Sequence, residues 1–325
     1  MIVTAGIDIG GTETKIGIVN RDGEILAFKS IATNADKGHV VFLEQLQAEI
    51  TELLGSLSAV SLVGIGIAAP TGSCQNGTIE NASNLGWPRN LPVCDLIGSY
   101  FDVPSVISND ANAAAVGEML YGVAQGVDNF ICITLGTGLG SGIVADGKLL
   151  LGADGHAGEL GHFIAIPDGR SCSCGRKGCL ETYASASGIV KTYLQLSGNR
   201  VNHITSENNG RLTAKKITKA ALVGDEIALK AFELTGEILG KKLADAVSIL
   251  NPELIVLNGG LSRAGDLILI PTRKHLEQNL LNIYNGTVEV KISEISSKKS
   301  AVLGAAAFMW LKLNEVSEEA TKQHH

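Results

Sequence analysis

Aromatic residues are scarce in this chain, at 4% of the sequence, with two Trp, five Tyr and seven Phe. That poverty, set beside 39 glycines, disfavours a β-sandwich and favours α/β layering with tight turns. Long hydrophobic runs are missing too. The most apolar stretches, such as SLVGIGIAAP, are too short and too glycine-rich to span a bilayer. The opening MIVTAGIDIGG has no basic n-region, so no secretory signal and no membrane partner are expected, and a cytoplasmic location is. Nor does a block of like charge stand out. A formal net charge of −7 without a basic stripe gives nucleic acid no electrostatic footprint. An acidic protein that handles phosphates must gather positive potential locally, from backbone N–H groups, a few cations and metal ions.

What is present is apolar and periodic. The 325 residues are 45% apolar, enough for roughly two domains. IVTAGIDIGGTETKIGIVN reads as strand, glycine turn, strand, and GEILAFKSIAT as a third strand. From Val40 to Leu57, apolar residues recur at three and four spacing (Val40, Leu43, Leu46, Ile50, Leu53, Leu54, Leu57), which predicts an amphipathic helix. LVGIGIAAP reads as a buried strand, followed by a loop to about Pro92, and VPSVISNDANAAAVGEML as a strand entering an alanine-rich helix. Further helices are expected over Glu226–Leu250, Arg263–Leu280 and Ala301–Leu313, with PELIVLNGG a strand. The last of these helices is expected to fold back on the first lobe. The opening pattern also recurs: Ile7 to Thr12 and on to Gly17-Ile18-Val19 is matched by Ile133 to Gly138 and on to Gly142-Ile143-Val144. Such a repeat suggests two homologous lobes that each begin with a glycine-turn hairpin; chance likeness of two glycine-rich hairpins is the plainer alternative.

Asp8 ends a strand and is followed by Gly10, Gly11, Thr12 and Lys15. Glycines let backbone N–H groups approach phosphate oxygens, the Thr hydroxyl adds a donor, and a carboxylate alongside can hold hydrated Mg²⁺. A plain hairpin turn competes with that reading. Gly136-Thr137-Gly138 and Asn258-Gly259-Gly260 add two more such turns after apolar strands. Two familiar motifs are excluded. Gly142 to Leu149 nearly matches a P-loop, but Leu149 stands where a hydroxyl must bind Mg²⁺, and Ala145-Asp146-Gly147-Lys148 is more simply a hairpin turn. GTGLGSG does not fit the dinucleotide pattern either. In Ser108-Asn109-Asp110, at the junction of strand and helix, Asp110 is either a helix-capping residue or a general base for a substrate hydroxyl.

Three of the six cysteines fall within eight residues: Cys172, Cys174 and Cys179 follow His162 as His-x9-Cys-x-Cys-x4-Cys. In a reducing compartment, clustered thiols point to metal or redox chemistry before disulfides. One imidazole and three thiolates form a closed tetrahedral Zn²⁺ set, so such a metal would be structural. Reduced buried thiols, or a redox pair, are the alternatives. The ring nitrogen of His162 not used by metal can donate a hydrogen bond. If that donor converges with Glu159 and Glu181, the three form a polar pocket for a hydroxyl-rich ligand; solvated surface charges would be the bland reading of either carboxylate.

GIDIGGTETKIGIV, NDANAAA, ITLGTGLGSG and AGELGHFIAIPDGRSCSCGRKGCLETYAS together resemble the ROK family of bacterial sugar kinases and repressors, over nearly the whole chain. ASNLGWP and ETYAS draw the resemblance toward its glucokinase members. The resemblance implies an actin/hexokinase-like fold of two ribonuclease-H-like lobes around a cleft, with residues 1–118 and 301–325 in a small lobe and 119–300 in a large lobe bearing the zinc loop. It implies ATP-dependent phosphorylation of a hexose at O6, glucose first, with Asp110 as base. Asn84, Asn109, Glu159, His162 and Glu181 would bind the sugar. Asp8, Gly10, Gly11, Thr12, Lys15, Thr137, Gly138, Gly259 and Gly260 would serve nucleotide and Mg²⁺. His162, Cys172, Cys174 and Cys179 would bind structural Zn²⁺, and the protein would be a homodimer. N-acetylglucosamine, N-acetylmannosamine, mannose, allose or fructose are alternative acceptors, and polyphosphate an alternative donor. A non-catalytic sugar sensor is the second reading. The family's repressors carry an N-terminal helix-turn-helix, whereas this sequence starts at the phosphate hairpin, so no DNA-binding module is expected.

Overall fold

The computed structural model describes residues 1–80, 85–198, 211–296 and 299–322. Two compact units divide them. One comprises Met1–Gln125, Leu151–Gly155 and the chain from Ile295 onward; the other comprises Gly126–Leu150 and His156–Glu294.

In the first unit, β1 (Ile2–Ile9), β2 (Glu13–Val19) and β3 (Ile25–Ala32) form an antiparallel meander. The chain crosses through α1 (His39–Gly55) to β4 (Ser61–Ala68), which pairs parallel to β1. A small ribbon, β5 (Gly72–Ser73) and β6 (Thr78–Ile79), and α2 (Val93–Phe101) precede β7 (Ser105–Ser108), which pairs parallel to β4. The order is β3-β2-β1-β4-β7. β1 is central and covered on both faces, which is why its sequence is a nearly unbroken apolar run rather than an alternating one. On α1, Leu43, Leu46, Ile50 and Leu53 are buried as the spacing predicts, and Phe42 is buried beside them. Val40 departs from that face and is exposed, because it lies in the first turn, before the helix meets the sheet.

The second unit repeats the plan. β8 (Phe130–Leu135), β9 (Leu139–Ala145) and β10 (Lys148–Leu149) form the meander; β11 (Leu254–Asn258) and β12 (Glu289–Ile292) extend it in parallel, giving β10-β9-β8-β11-β12. The two hairpins expected from the internal repeat, β1–β2 and β8–β9, thus hold the same position in their sheets. Asp146 (φ 51°) and Gly147 (φ 69°) connect β9 to β10 with both φ positive, the type I′ two-residue turn; the P-loop-like stretch is a hairpin.

Helices α3 (Asp110–Tyr121), α4 (Ala186–Ser197), α5 (Ala214–Leu222), α6 (Glu226–Leu250), α7 (Asp266–Glu277) and α8 (Ser300–Lys322) complete the description. α6 begins where predicted because Asp225 Oδ1 accepts from the Ala228 N–H (2.7 Å), satisfying an otherwise orphaned donor. The helix expected over Arg263–Leu280 is instead a short 3₁₀ turn, Leu261–Ala264, then α7, with Gly265 turning the chain between them. α2, α4 and α5 add to the helices that the sequence predicts.

α8 packs on β1, β4 and α3, so it does return to the first sheet. It approaches so closely that a Cβ on Gly66 would overlap the Ala305 carbonyl, and one on Gly6 the Val302 carbonyl. Backbone cannot yield there as a flexible side chain would. Gly66→Val is therefore expected to destabilise the protein by about 3 kcal/mol or more, measured by urea unfolding; a midpoint unchanged from wild type would refute this contact.

Candidate active site

The candidate residues fall into a set in each unit. In the first, pairing of β1 with β2 sets Asp8 opposite Lys15, and pairing of β4 with β7 brings Ala68, itself opposite Asp8, beside Ser108. Asp8, Asn109 and Asp110 therefore emerge at one end of one sheet. Lys15 Nζ donates to Asp8 Oδ2 (3.2 Å) and lies 3.7 Å from Glu13 Oε2. The turn Gly10-Gly11-Thr12 is fixed by Gly10 N–H donating to the Glu13 carbonyl (3.0 Å) and Thr33 Oγ1 donating to the Gly10 carbonyl (2.7 Å). Gly11 and Thr12 stay exposed.

Asn109 is the cap of α3: its Oδ1 accepts from the Asn112 N–H at 2.8 Å. That bond takes one lone pair of the oxygen, and the Nδ2 hydrogens are the donors Asn109 can offer a sugar hydroxyl. Asp110 is the first helical residue and leaves capping to its neighbour. Asp110 is exposed to solvent, with protein packed around it. Lost hydration first, and the Asp8 charge second, push its carboxyl up to about 7, against the pull of Lys15. Burial likewise raises Asp8, with Lys15 opposing. Asn84 lies outside the described residues.

In the second unit, Thr137 and Gly138 form the β8–β9 turn, and β11, paired with β8 so that Asn258 meets Thr134, carries Gly259 and Gly260 out at the same end. Ser187 Oγ donates to the Thr137 carbonyl (2.7 Å). Glu159 precedes the 3₁₀ turn Leu160–His162, which is held by Leu160 N–H donating to Ser141 Oγ (3.2 Å) and by Ser141 Oγ donating to the Gly158 carbonyl. Glu159 Oε2 stands 3.8 Å from His162 Nε2. The other ring nitrogen, Nδ1, faces Cys172 Sγ at 3.7 Å, and Cys174 Sγ lies 3.6 Å from Cys179 Sγ. All four ligand atoms lie within 4.8 Å of one another. A tetrahedral zinc about 2.3 Å from each sulfur separates its ligands by roughly 3.7 Å, so these residues fit that ion. Cys174 is already drawn down to about 6, chiefly by the Arg176 backbone N–H, while lost hydration raises Cys172 and Cys179.

Glu181 links the thiol cluster to the glycine turn. Cys172 Sγ donates to its Oε1 (2.9 Å), and its Oε2 would lie 2.6 Å from a Cβ on Gly138. A cavity of about 260 Å³ opens here between Thr137, Gly138, Ser171, Cys172, Glu181 and Lys191. The arrangement offers acceptors and a ring N–H for hydroxyls beside a turn of backbone amides for phosphate oxygens.

The ROK family model matches residues 4–312. The chain belongs to the ROK family. It is 37% identical over 306 residues to a glucokinase of Halalkalibacterium halodurans, covering 92% of each chain. It is 31% identical to a xylose repressor of Caldicellulosiruptor bescii, over 94% of this chain and 77% of that protein. Among solved structures it matches a ROK glucokinase from Streptomyces griseus in complex with glucose and AMPPNP, with 33% identity, a TM-score of 0.81, and 95% and 99% of the two chains covered. The two mixed five-stranded sheets are thus the actin/hexokinase-like two-lobed fold of ROK glucokinases. ROK members include both kinases and repressors, and the His/Cys cluster is consistent with a ROK zinc site. Among the described residues no helix is long and apolar enough to cross a membrane.

Two supporting arginines of this ROK chain carry no sequence signal. Arg176 donates to the His162 carbonyl (2.6 Å). Arg170 threads beneath the thiol loop onto neutral acceptors, and only the folded chain brings those acceptors together.

The raised Asp110 carboxyl sets a pH dependence. Its folded pKa exceeds the unfolded value, so stability is intact at low pH and is lost as pH rises from about 4 toward 7. Asp110→Asn removes the charge, so it should unfold at higher temperature than wild type at pH 8, with the gap closing by pH 4. Solvent contact trims the effect to about 1 kcal/mol, or roughly 2–4 °C. Parallel pH profiles of melting temperature for the two proteins would overturn it.

Proposed function

We propose that this protein phosphorylates a hexose at O6 from ATP, with glucose the leading acceptor. The carrying observation is the Asp110 carboxyl, solvent-reached, raised above the ordinary aspartate range, and set at the end of the sheet that also bears Asp8 and the Gly10-Gly11-Thr12 turn. Similarity to glucokinases over most of the chain supports glucose.

In this reading Glu159, His162 Nε2, Glu181 and Asn109 Nδ2 orient the sugar, with Asn84 from outside the described residues. Backbone N–H groups of Gly10, Gly11, Thr12, Thr137, Gly138, Gly259 and Gly260, with the Thr hydroxyls, hold the nucleotide. Mg²⁺, when bound with the triphosphate, neutralises charge on its oxygens, and Asp8 is the carboxylate to hold it; Lys15, paired to Asp8, keeps that carboxylate ionised and aimed. Asp110 takes the O6 proton as O6 bonds to the γ-phosphorus. The β–γ bridging oxygen leaves with ADP, and the proton passes from Asp110 to solvent. A base displaced upward holds that proton more strongly in the transition state but is less ionised at low pH. His162 Nδ1, Cys172, Cys174 and Cys179 would hold a structural zinc, with no coordination position left for substrate.

Asp110→Ala should retain sugar binding and lose kcat by about 10²–10⁴-fold in a coupled assay of ADP release; near-normal turnover removes it from the role. Wild-type kcat/KM should climb with pH to a plateau near or above pH 7, and Asp8→Asn, which removes a repulsive charge and frees Lys15, should move that limb to lower pH. A sugar panel at fixed MgATP decides the acceptor, and absence of sugar-dependent ADP release across it would favour the sensor reading.

Elemental analysis should find one zinc per chain, and Cys179→Ser should lose it and raise the sugar KM before kcat is affected. Full activity in metal-free protein would sink the zinc assignment.

A further inference from the structure

Arg170 is half-buried and directly precedes the thiol loop, yet its role is not in the thiol cluster. Its guanidinium stacks over the Tyr183 ring, 4.4 Å from the centroid. Nη1 donates to the carbonyls of Thr182 (2.7 Å) and Gly188 (3.1 Å). Nη2 donates to Thr192 Oγ1 (2.9 Å) and Gln195 Oε1 (2.5 Å). Its own backbone N–H donates to Tyr183 Oη (2.8 Å). Every partner is neutral, and among the described residues no carboxylate comes within ion-pair reach. Lost hydration correspondingly lowers its pKa. A cation taken partly out of water without a counter-charge stabilises a fold poorly. What a planar fork does well is fix several acceptors in one geometry.

The acceptors lead to two places. Thr182 adjoins Glu181, in the 3₁₀ turn Leu180–Thr182. Gly188 lies in the first turn of α4, whose start is bonded to the glycine turn of the β8–β9 hairpin: Ala186 N–H donates to the Gly136 carbonyl (2.8 Å) and Ser187 Oγ to the Thr137 carbonyl (2.7 Å). One guanidinium therefore reaches Glu181 by one neighbour and the Gly136–Gly138 turn through α4. We infer that Arg170 is a positioning residue that holds Glu181 and the Gly136–Gly138 turn in one fixed relation, so that sugar binding and nucleotide binding are set together. The kinetic side of this inference rests on the hexose-kinase reading above.

Arg170→Gln is the test, with Arg170→Lys beside it and Ile268→Val, a core change in the same unit, as a stability control. A small displacement of both binding elements should raise KM for sugar and for MgATP together, each about five- to tenfold, with kcat falling less than about threefold and zinc content unchanged. Lysine supplies the charge without the fork, so Arg170→Lys should recover less than half of either effect. Hydrogen exchange should show the Ala186 amide losing protection in Arg170→Gln but not in Ile268→Val. Wild-type KM values with a melting temperature lowered as in the control would reduce Arg170 to ordinary structure. A rise confined to one substrate, zinc loss accompanying the rise, or full rescue by lysine would equally overturn the inference. If Arg170→Gln does not fold, Gln195→Ala, which removes a single acceptor, should show the same paired rise at about twofold; KM values at wild-type level there would overturn it. If wild type itself releases no ADP with any sugar, the kinase reading fails, and the Ala186 exchange result still decides the clamp.

Discussion

The stretch from Gly158 to Ser185 carries Glu159, His162 and Glu181, but it contains only two 3₁₀ turns and no strand of either sheet. Only scattered backbone bonds cross it, among them Leu180 N–H to the Phe163 carbonyl (2.8 Å) and Cys172 N–H to the Arg176 carbonyl (2.9 Å), so side chains have to supply much of its conformation. Three sets supply it. The imidazole and thiols gather within ligand distance of one another. Ser141 ties Gly158 and Leu160 to β9. Arg170 and Arg176 satisfy carbonyls that no neighbouring strand reaches. The polar residues that would face a substrate are placed by this frame, and its failure would leave both sheets intact while scattering the site.

The first unit solves the corresponding problem with regular structure. Asp8 and Asp110 leave adjacent parts of one sheet, and strand register alone brings them within electrostatic range. Their mutual repulsion is tolerated because Lys15 stands opposite Asp8 in the β1–β2 ladder. That lysine, one of the residues expected to serve nucleotide and Mg²⁺, lies by two carboxylates of its own hairpin, Asp8 and Glu13. Its charge offsets that of Asp8 and, at longer range, of Asp110.

Local pattern was a good guide wherever the determinants are local. The repeat between Ile7–Val19 and Ile133–Val144 pointed to two sheets that begin alike, and α6 was legible from Glu226 to Leu250 because a capping Asp225 precedes an uninterrupted period. The break at Gly265 escaped notice, since the apolar spacing runs on through it. α2, α4 and α5 were missed as well, although each has an amphipathic period and the caps Ser185 and Thr213 stand at the starts of α4 and α5. In the site, the thiol spacing spoke plainly, because ligand chemistry constrains which residue types can cluster. Asn109 and Asp110 were readable as a cap-or-base pair, and the structure assigns the cap to Asn109. Arg170 could not be read at all: its acceptors are two carbonyls, a hydroxyl and an amide spread over Thr182 to Gln195, and nothing in those residue types announces a shared partner.

Because α8 lies on β1, β4 and α3 with glycine Cα atoms against its backbone, the first sheet has no complete hydrophobic cover until residues from Ser300 onward are added. All of the second unit is translated in between. Ribosomal synthesis thus runs in an order opposite to the numbering: the unit whose strands appear first is the one sealed last, and the later unit can be fully packed while the earlier one still waits with its sheet uncovered.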